Sequence, residues 1–264
     1  MFKKLLLIIM PFILFSCTSN VHELEIKKAN QFFESIFQDR VLDSPEFQSS
    51  LGYKSNYDKW DDITWQNSRR KAKQSVNDLA YLRENINFDK LDESTKISYL
   101  LMEKRLQRTI DNDKFIFHGY MITHRGGKHS SIPSFLINYH KVDEEQDVKD
   151  YIGRLRNIES LMNDLIEQLR SRQDVKKIAP AFVFPQAIKT SENIISGYPF
   201  EETKKQNVIY ADFMKKLNTL DISEAKKLRY QSEAEAVLLT IVNYSYTKLI
   251  DFLDLIKNYS LVIG

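Results

Sequence analysis

EEQDVKDYIGRLRNIESLMNDLIEQLRSRQ, residues 144–173, decides the fold class. Val148, Ile152, Leu155, Ile158, Met162, Leu165, Ile166 and Leu169 return at three- and four-residue steps, so one face stays apolar through several helical turns. The ends agree with the dipole of such a helix. Glu144, Glu145 and Asp147 fall in the first turn, and Arg170 and Arg172 in the last, where the partial charges of the helix ends favour them. The spacing predicts one long amphipathic helix over 144–173.

The same period extends in both directions. Val21–Val41 carries Leu24, Phe32, Phe33, Ile36, Phe37 and Val41 at helical steps. Ser44, Pro45 and Gly52 are the cap, first residue and stop of a short helix over 44–52. YKSNYDKWDDI, 53–63, is an ordered loop in which Tyr53, Tyr57, Trp60 and Trp65 are packing anchors. Further helices are predicted over Trp65–Asn85 and over Glu93–Phe117, the latter capped by Asp92 with Ile97, Leu100, Leu101, Leu106 and Ile110 on its apolar side. AFVF between Pro180 and Pro185 is an extended piece, followed by a helix over Gln186–Ser196. Two more helices close the chain, the last over Ser223–Tyr259 behind a capping-box-like Asp221 and Glu224. Only 7 glycines and 6 prolines occur in 264 residues, so turns are few and elements long. With no competing strand pattern, the expected class is an all-α multi-helix array.

A content of 42% hydrophobic and 28% charged residues is that of a chain with a real core. The net charge of +2 comes from basic residues interspersed with acidic ones, which leaves no nucleic-acid footprint. MFKKLLLIIMPFILFSC begins with Lys3 and Lys4, continues as an apolar run and ends in Ser16-Cys17, the build of a secretory signal with a lipobox. The expected organisation is a lipoprotein signal peptide over 1–16, a lipidated tether and start of the first helix over 17–28, and a helical domain over 29–264. Removal of 1–16 brings the side-chain charge to zero. Acyl groups on Cys17 must then supply the membrane attachment. As Cys17 is the only cysteine, cysteine nucleophiles and thiolate metal sites are excluded from the acylated chain. Thr18, in place of aspartate, resembles an outer-membrane sorting signal, so the expected location is the periplasmic face of the outer membrane.

The chain has no G-x-S-x-G, P-loop, G-x-G-x-x-G, C-x-x-C or H-E-x-x-H pattern, and His22-Glu23 lacks a second imidazole one turn on. Four of five histidines, His118, His124, His129 and His140, fall within 118–140, beside Arg125-Gly126-Gly127. Such a segment could ligate a metal, form a wall facing an anionic substrate such as a peptide carboxylate, or simply belong to the packing. Spacings that match no helix turn, and the lack of acidic residues between 114 and 142, speak against a metal site. Asp61-Asp62 and Glu144-Glu145 are adjacent carboxylates that point apart, and neither is a ready acid/base couple.

FFESIFQDRVLDSPEFQSSLG (32–52), NYDKWDDIT (56–64), FDKLDESTKISYLLMEKRL (88–106), HSSIPSFLINYHKV (129–142) and PAFVFPQAIKTSENII (180–195) together resemble the N-terminal half of the bacterial domain of unknown function 885 family, over most of 29–255. The resemblance implies a helical fold grouped with zinc metallopeptidase-like proteins, whose His-Glu…His-His motif lies in a C-terminal half. No such motif occurs here. The chain is therefore expected to be the truncated, substrate-cleft half of a larger metallopeptidase-like fold, non-catalytic and metal-free by itself, with zinc belonging to the full-length family. The resemblance further implies that Arg125, His129, Ser130, Asn138 and His140 line the cleft for a peptide substrate; Ser131 stands where an acidic residue is expected. The alternative is a stand-alone helical binding lipoprotein. The final helix discriminates between the two, since a bare Val237–Ile256 stripe needs a partner half and a covered one does not.

Overall fold

The computed structural model describes the backbone of residues 6–263 and the side chains of 21–260. The signal peptide expected over 1–16 and the acylation expected at Cys17, with Thr18 beside it, concern side chains outside those described residues. The chain is an all-α multi-helix array. Among the described residues its strands are confined to one two-residue ribbon, and no helix is long and apolar enough to cross a membrane. The chain divides into two compact units, Met1–Arg40 with Ser68–Ile116, and Val41–Asn67 with Phe117–Gly264.

The first unit is built from α1 (Leu6–Leu42), α3 (Trp65–Asn85) and α4 (Glu93–Asn112). Ala29, Leu79, Leu82, Ile86, Leu91, Tyr99 and Leu106 are its buried core, with Ile26, Phe32 and Ile36 packed against it. Asp92 caps α4 by accepting a bond from the Thr95 N–H at 2.7 Å, as its sequence position predicts. The helix stops five residues earlier than Phe117, passing into a 3₁₀ turn over Asp113–Phe115. Its inner face also differs from the predicted one. Tyr99 and Leu106 point inward, while Ile97, Leu100 and Leu101 are exposed. Both sets have helical spacing, and only packing against α1 and α3 decides which is covered.

The second unit contains α2 (Pro45–Ser50), whose cap Ser44 accepts from the Phe47 N–H and whose stop Gly52 has φ +87°, a region that glycine enters without steric cost. The 53–65 loop is ordered as expected, with Tyr57 and Trp60 buried. A β1 (Ile122–Thr123), β2 (Gly126–Gly127) ribbon then delivers the chain into α5 (Lys128–Tyr139). The long helix read over 144–173 is two, α6 (Glu145–Arg156) and α7 (Ile158–Asp174), broken at Asn157, whose side-chain amide donates to the Asp58 carbonyl at 2.9 Å. The apolar period carries through the break because only one residue leaves the helix.

AFVF is not extended. Ala181 and Phe182 form a turn and α8 (Val183–Ile194) starts before Pro185, which sits in the first helical turn where a missing N–H removes no helical bond. After α9 (Val208–Asn218), α10 (Glu224–Val237) is capped by Ser223 rather than Asp221, through the Lys226 N–H. It continues through a π turn over Leu238–Val242 into α11 (Asn243–Ile263). Val237, Leu238, Val242, Tyr246, Leu249, Leu253 and Ile256 are all buried, and α11 packs on α7 and α8. The stripe of the final helix is thus covered within this unit.

Candidate functional site

HSSIPSFLINYH, 129–140, is helical for all but its last residue despite Pro133 in the middle. Proline lacks the N–H that would bond the carbonyl four residues back, His129. The Tyr246 hydroxyl of α11 takes that place, donating to the His129 carbonyl at 2.6 Å from a fully buried position. Burial pushes the Tyr246 phenol up, which keeps it a neutral donor. At the start of the helix, Ser130 Oγ accepts from the Gly127 N–H at 3.0 Å and donates to the Gly127 carbonyl at 2.9 Å. Gly127 is required here, since a Cβ would lie 2.4 Å from the Met121 carbonyl across the ribbon.

His129 has no exposed surface, and neither of its ring nitrogens has a hydrogen-bond partner among the described residues. Burial pulls its pKa down to about 4 and so holds it neutral. His140 is equally buried but fully bonded. Its Nε2–H donates to the Asp147 carbonyl at 3.1 Å and its Nδ1 accepts from Arg154 at 2.9 Å, while the ring stacks on Tyr57 with centroids 4.1 Å apart. Burial, with the Arg154 charge second, takes its pKa down to about 3.

Arg154 is the centre of this site, and the sequence reading passes over it. Its guanidinium is fully buried and bonds the Lys59 carbonyl, His140 Nδ1 and Ser49 Oγ, between 2.9 and 3.0 Å. The rings of Tyr57, Trp60 and Phe135 surround it at 4.9–5.4 Å. Burial lowers its pKa to about 10, opposed by Tyr57 and the charges of Glu46, Asp58 and Asp61, so it stays protonated at neutral pH. Trp60 Nε1–H returns a bond to the Arg154 carbonyl at 2.9 Å. The signal was present in the chain: position 154 lies three residues after Tyr151 and four before Ile158, on the apolar stripe of α6. Next to it, the buried Asp147 carboxylate accepts from Lys54 Nζ at 2.6 Å and from the N–H groups of Asp143 and Glu144.

The five cleft candidates do not form one wall. His129 and His140 belong to the core and Ser130 holds a helix cap, so a solute approaching from solvent reaches neither imidazole. Arg125 and Asn138 are exposed, Arg125 in the ribbon turn and Asn138 bonded back to Ser134. The residues do not fit zinc either: both His140 nitrogens are engaged, and among the described residues no three His, Cys, Asp or Glu side chains converge as a ligand set. Asp61 and Asp62 act in the backbone, Asp61 accepting from Ser44 Oγ and the Glu46 N–H, Asp62 from the Thr64 N–H and hydroxyl. With Asp58, Asp164, Asn157 and Trp60 they line a groove of about 400 Å³.

No curated protein matches the sequence. The fold is that of the crystal structure of a "putative lipoprotein" from Colwellia psychrerythraea, at a TM-score of 0.71 and 15% identity over 90% of this chain. The likeness takes in 41% of that neighbour, so this chain spans about two fifths of its length. Residues 45–259 match the family described as Bacterial protein of unknown function (DUF885), and since that is most of the chain, the chain belongs to this family.

Proposed function

We propose that this chain is a helical binding module of the bacterial cell envelope, tethered through acyl groups on Cys17, with recognition rather than catalysis as its task. The covered stripe of the final helix carries this reading, because the buried residues from Val237 to Ile256 have their partners in α6, α7, α8 and α9 and need no second chain to cover them. The groove at Asp58, Asp61, Asp62 and Asp164 offers a negatively charged surface to a cationic segment such as a basic peptide. The lipobox-like Leu14-Phe15-Ser16-Cys17 supports the tether, and Thr18 supports the periplasmic face of the outer membrane as its location.

Elemental zinc analysis of the purified chain, with thermal unfolding in the presence and absence of zinc, tests the proposal. It expects no stoichiometric zinc, one or two sharp transitions, and midpoints that added zinc leaves in place. Stoichiometric zinc that raises a midpoint would overturn it.

A second reading has its own observation. The chain matches two fifths of the length of the Colwellia protein, which supports a role as one part of a longer protein. The resemblance noted in the sequence would make that longer protein a zinc hydrolase, with this chain as its substrate-side part and the metal ligands elsewhere. Zinc-dependent peptidase activity of a longer form, absent from the region 29–264, would favour that reading.

A further inference from the structure

The exposed face of α4 combines two chemistries on one helix. Ile97, Leu100 and Leu101 are 60%, 51% and 65% exposed, at the i, i+3, i+4 spacing that makes one contiguous apolar strip. Lys104, Arg105 and Arg108 continue the same face one to three turns on, and all three are exposed. Partial burial, and then the nearby charges of Arg40 and Arg108, disfavour the charge of Arg105. Among the neighbouring carboxylates, Glu103 accepts from Arg83 at 2.7 Å and Glu93 faces Lys96 at the start of the helix, while Asp111, which accepts from Gln107 at 3.0 Å, marks the far end of the basic strip beyond Arg108. The other face of α4 is the core of its unit, so this is a surface helix with a second, basic and apolar side.

The tether reaches the same end of the unit. His22 Nδ1 lies 2.8 Å from the Lys90 carbonyl, and Glu25 accepts from the Asn87 N–H at 2.7 Å, so residue 22, five positions after Cys17, is fixed beside the loop that leads into α4. Acyl groups at Cys17 would hold this helix within a few residues' reach of a bilayer.

From the juxtaposition of Ile97, Leu100 and Leu101 with Lys104, Arg105 and Arg108 beside the anchored end of α1, we infer that α4 lies on the membrane and docks on anionic phospholipid headgroups. The apolar trio enters the interface and the three cations meet phosphate groups, the division of labour of an interfacial amphipathic helix. The body as a whole is neutral once residues 1–16 are removed, so the attraction is local to this face. The inference uses the proposed tether only to say where the bilayer lies.

The test places a fluorescent amino acid at position 101 of the membrane-extracted chain, with position 74, exposed on α3, as control. Vesicles are pure phosphatidylcholine or contain phosphatidylglycerol, each with brominated acyl chains as quenchers. Quenching at 101 and not at 74, on phosphatidylglycerol vesicles only, is the expected result. Lys104→Glu/Arg105→Glu/Arg108→Glu should lower the docked-to-free ratio by at least the roughly hundredfold that three lost headgroup attractions represent. An unquenched label on phosphatidylglycerol vesicles overturns the docking face, as does equal quenching on both vesicle types, or a label buried without vesicles because a second copy covers it. Flotation reads the tether separately. Protein that floats on both vesicle types without quenching keeps the tether and loses the docking face. Protein that floats and is quenched on phosphatidylglycerol vesicles alone keeps the face and loses the tether, and protein that does neither loses both.

Discussion

Pro133 removes a backbone donor from the middle of α5, and the structure answers with a side chain rather than with a kink left open to water. Tyr246→Phe should leave the buried His129 carbonyl unpaired and lower stability by about 1–3 kcal/mol in urea unfolding. In a Pro133→Ala background the restored N–H can reach the same carbonyl, so the penalty of Tyr246→Phe should shrink, and a double-mutant cycle reads the coupling. His129 makes a complementary case. Its neutral ring has no bonds to lose, so His129→Leu should leave stability at pH 8 almost unchanged. The unfolded chain takes up a proton near pH 6.5 while the folded imidazole resists until about 4. The unfolded state therefore binds more protons in that window, and stability falls as the pH drops through it. His129→Leu should remove one proton of this acid dependence, about 1.4 kcal/mol per pH unit, as measured by unfolding between pH 7 and 4. His140, with a folded value near 3, keeps the rest.

The long helical run from α10 to α11 shows how an element accommodates its own packing. Tyr230, Ala234, Leu238, Val242 and Tyr246 are buried at successive four-residue steps, and a regular helix of 3.6 residues per turn would rotate that row away from the core. The π turn over Leu238–Val242 carries one extra residue and brings the row back. Deleting Thr240, exposed within that turn, should give a plain α-helix with both buried faces in register and a melting temperature lowered by only a few degrees. Deleting Lys248, exposed in the regular part of α11, turns everything after it by a quarter of a turn or more and should abolish cooperative unfolding; circular dichroism melts compare the two. At this scale the sequence was legible in part. The caps Ser44 and Asp92 and the bounds of α3 follow from local rules, because a cap acts on its own first turn. The break at Asn157 and the π turn were not legible, since the apolar period continues across both.

On the scale of the molecule, each unit has a core of its own, one around Leu82 and one around Leu155. Both tryptophans, Trp60 and Trp65, lie in the second unit. Tryptophan emission therefore reports the second core, whereas far-ultraviolet circular dichroism reports helices of both. Leu82→Ala removes a fully buried side chain and should destabilise its unit by about 2–5 kcal/mol, seen as an earlier circular dichroism transition with the emission midpoint in place. Leu155→Ala should move the emission midpoint instead. A common shift of both signals for either substitution would show a single cooperative structure.

By itself the sequence determined the all-α class, the position of most helices and their caps, because helical period and capping are local properties of neighbouring residues. It also carried the family resemblance, in stretches that lie, from residue 45 on, within the matched residues 45–259. Tertiary structure decided which of two helical faces of α4 is inside, that His129 and His140 are core rather than wall, and that Arg154 is the residue around which α2, the 53–65 loop and α5 meet. Periodicity states that a face is apolar, not what covers it. A polar side chain on such a face reveals its role only when the acceptors and rings that surround it, here from residues 49, 57, 59, 60, 135 and 140, are brought together by the fold.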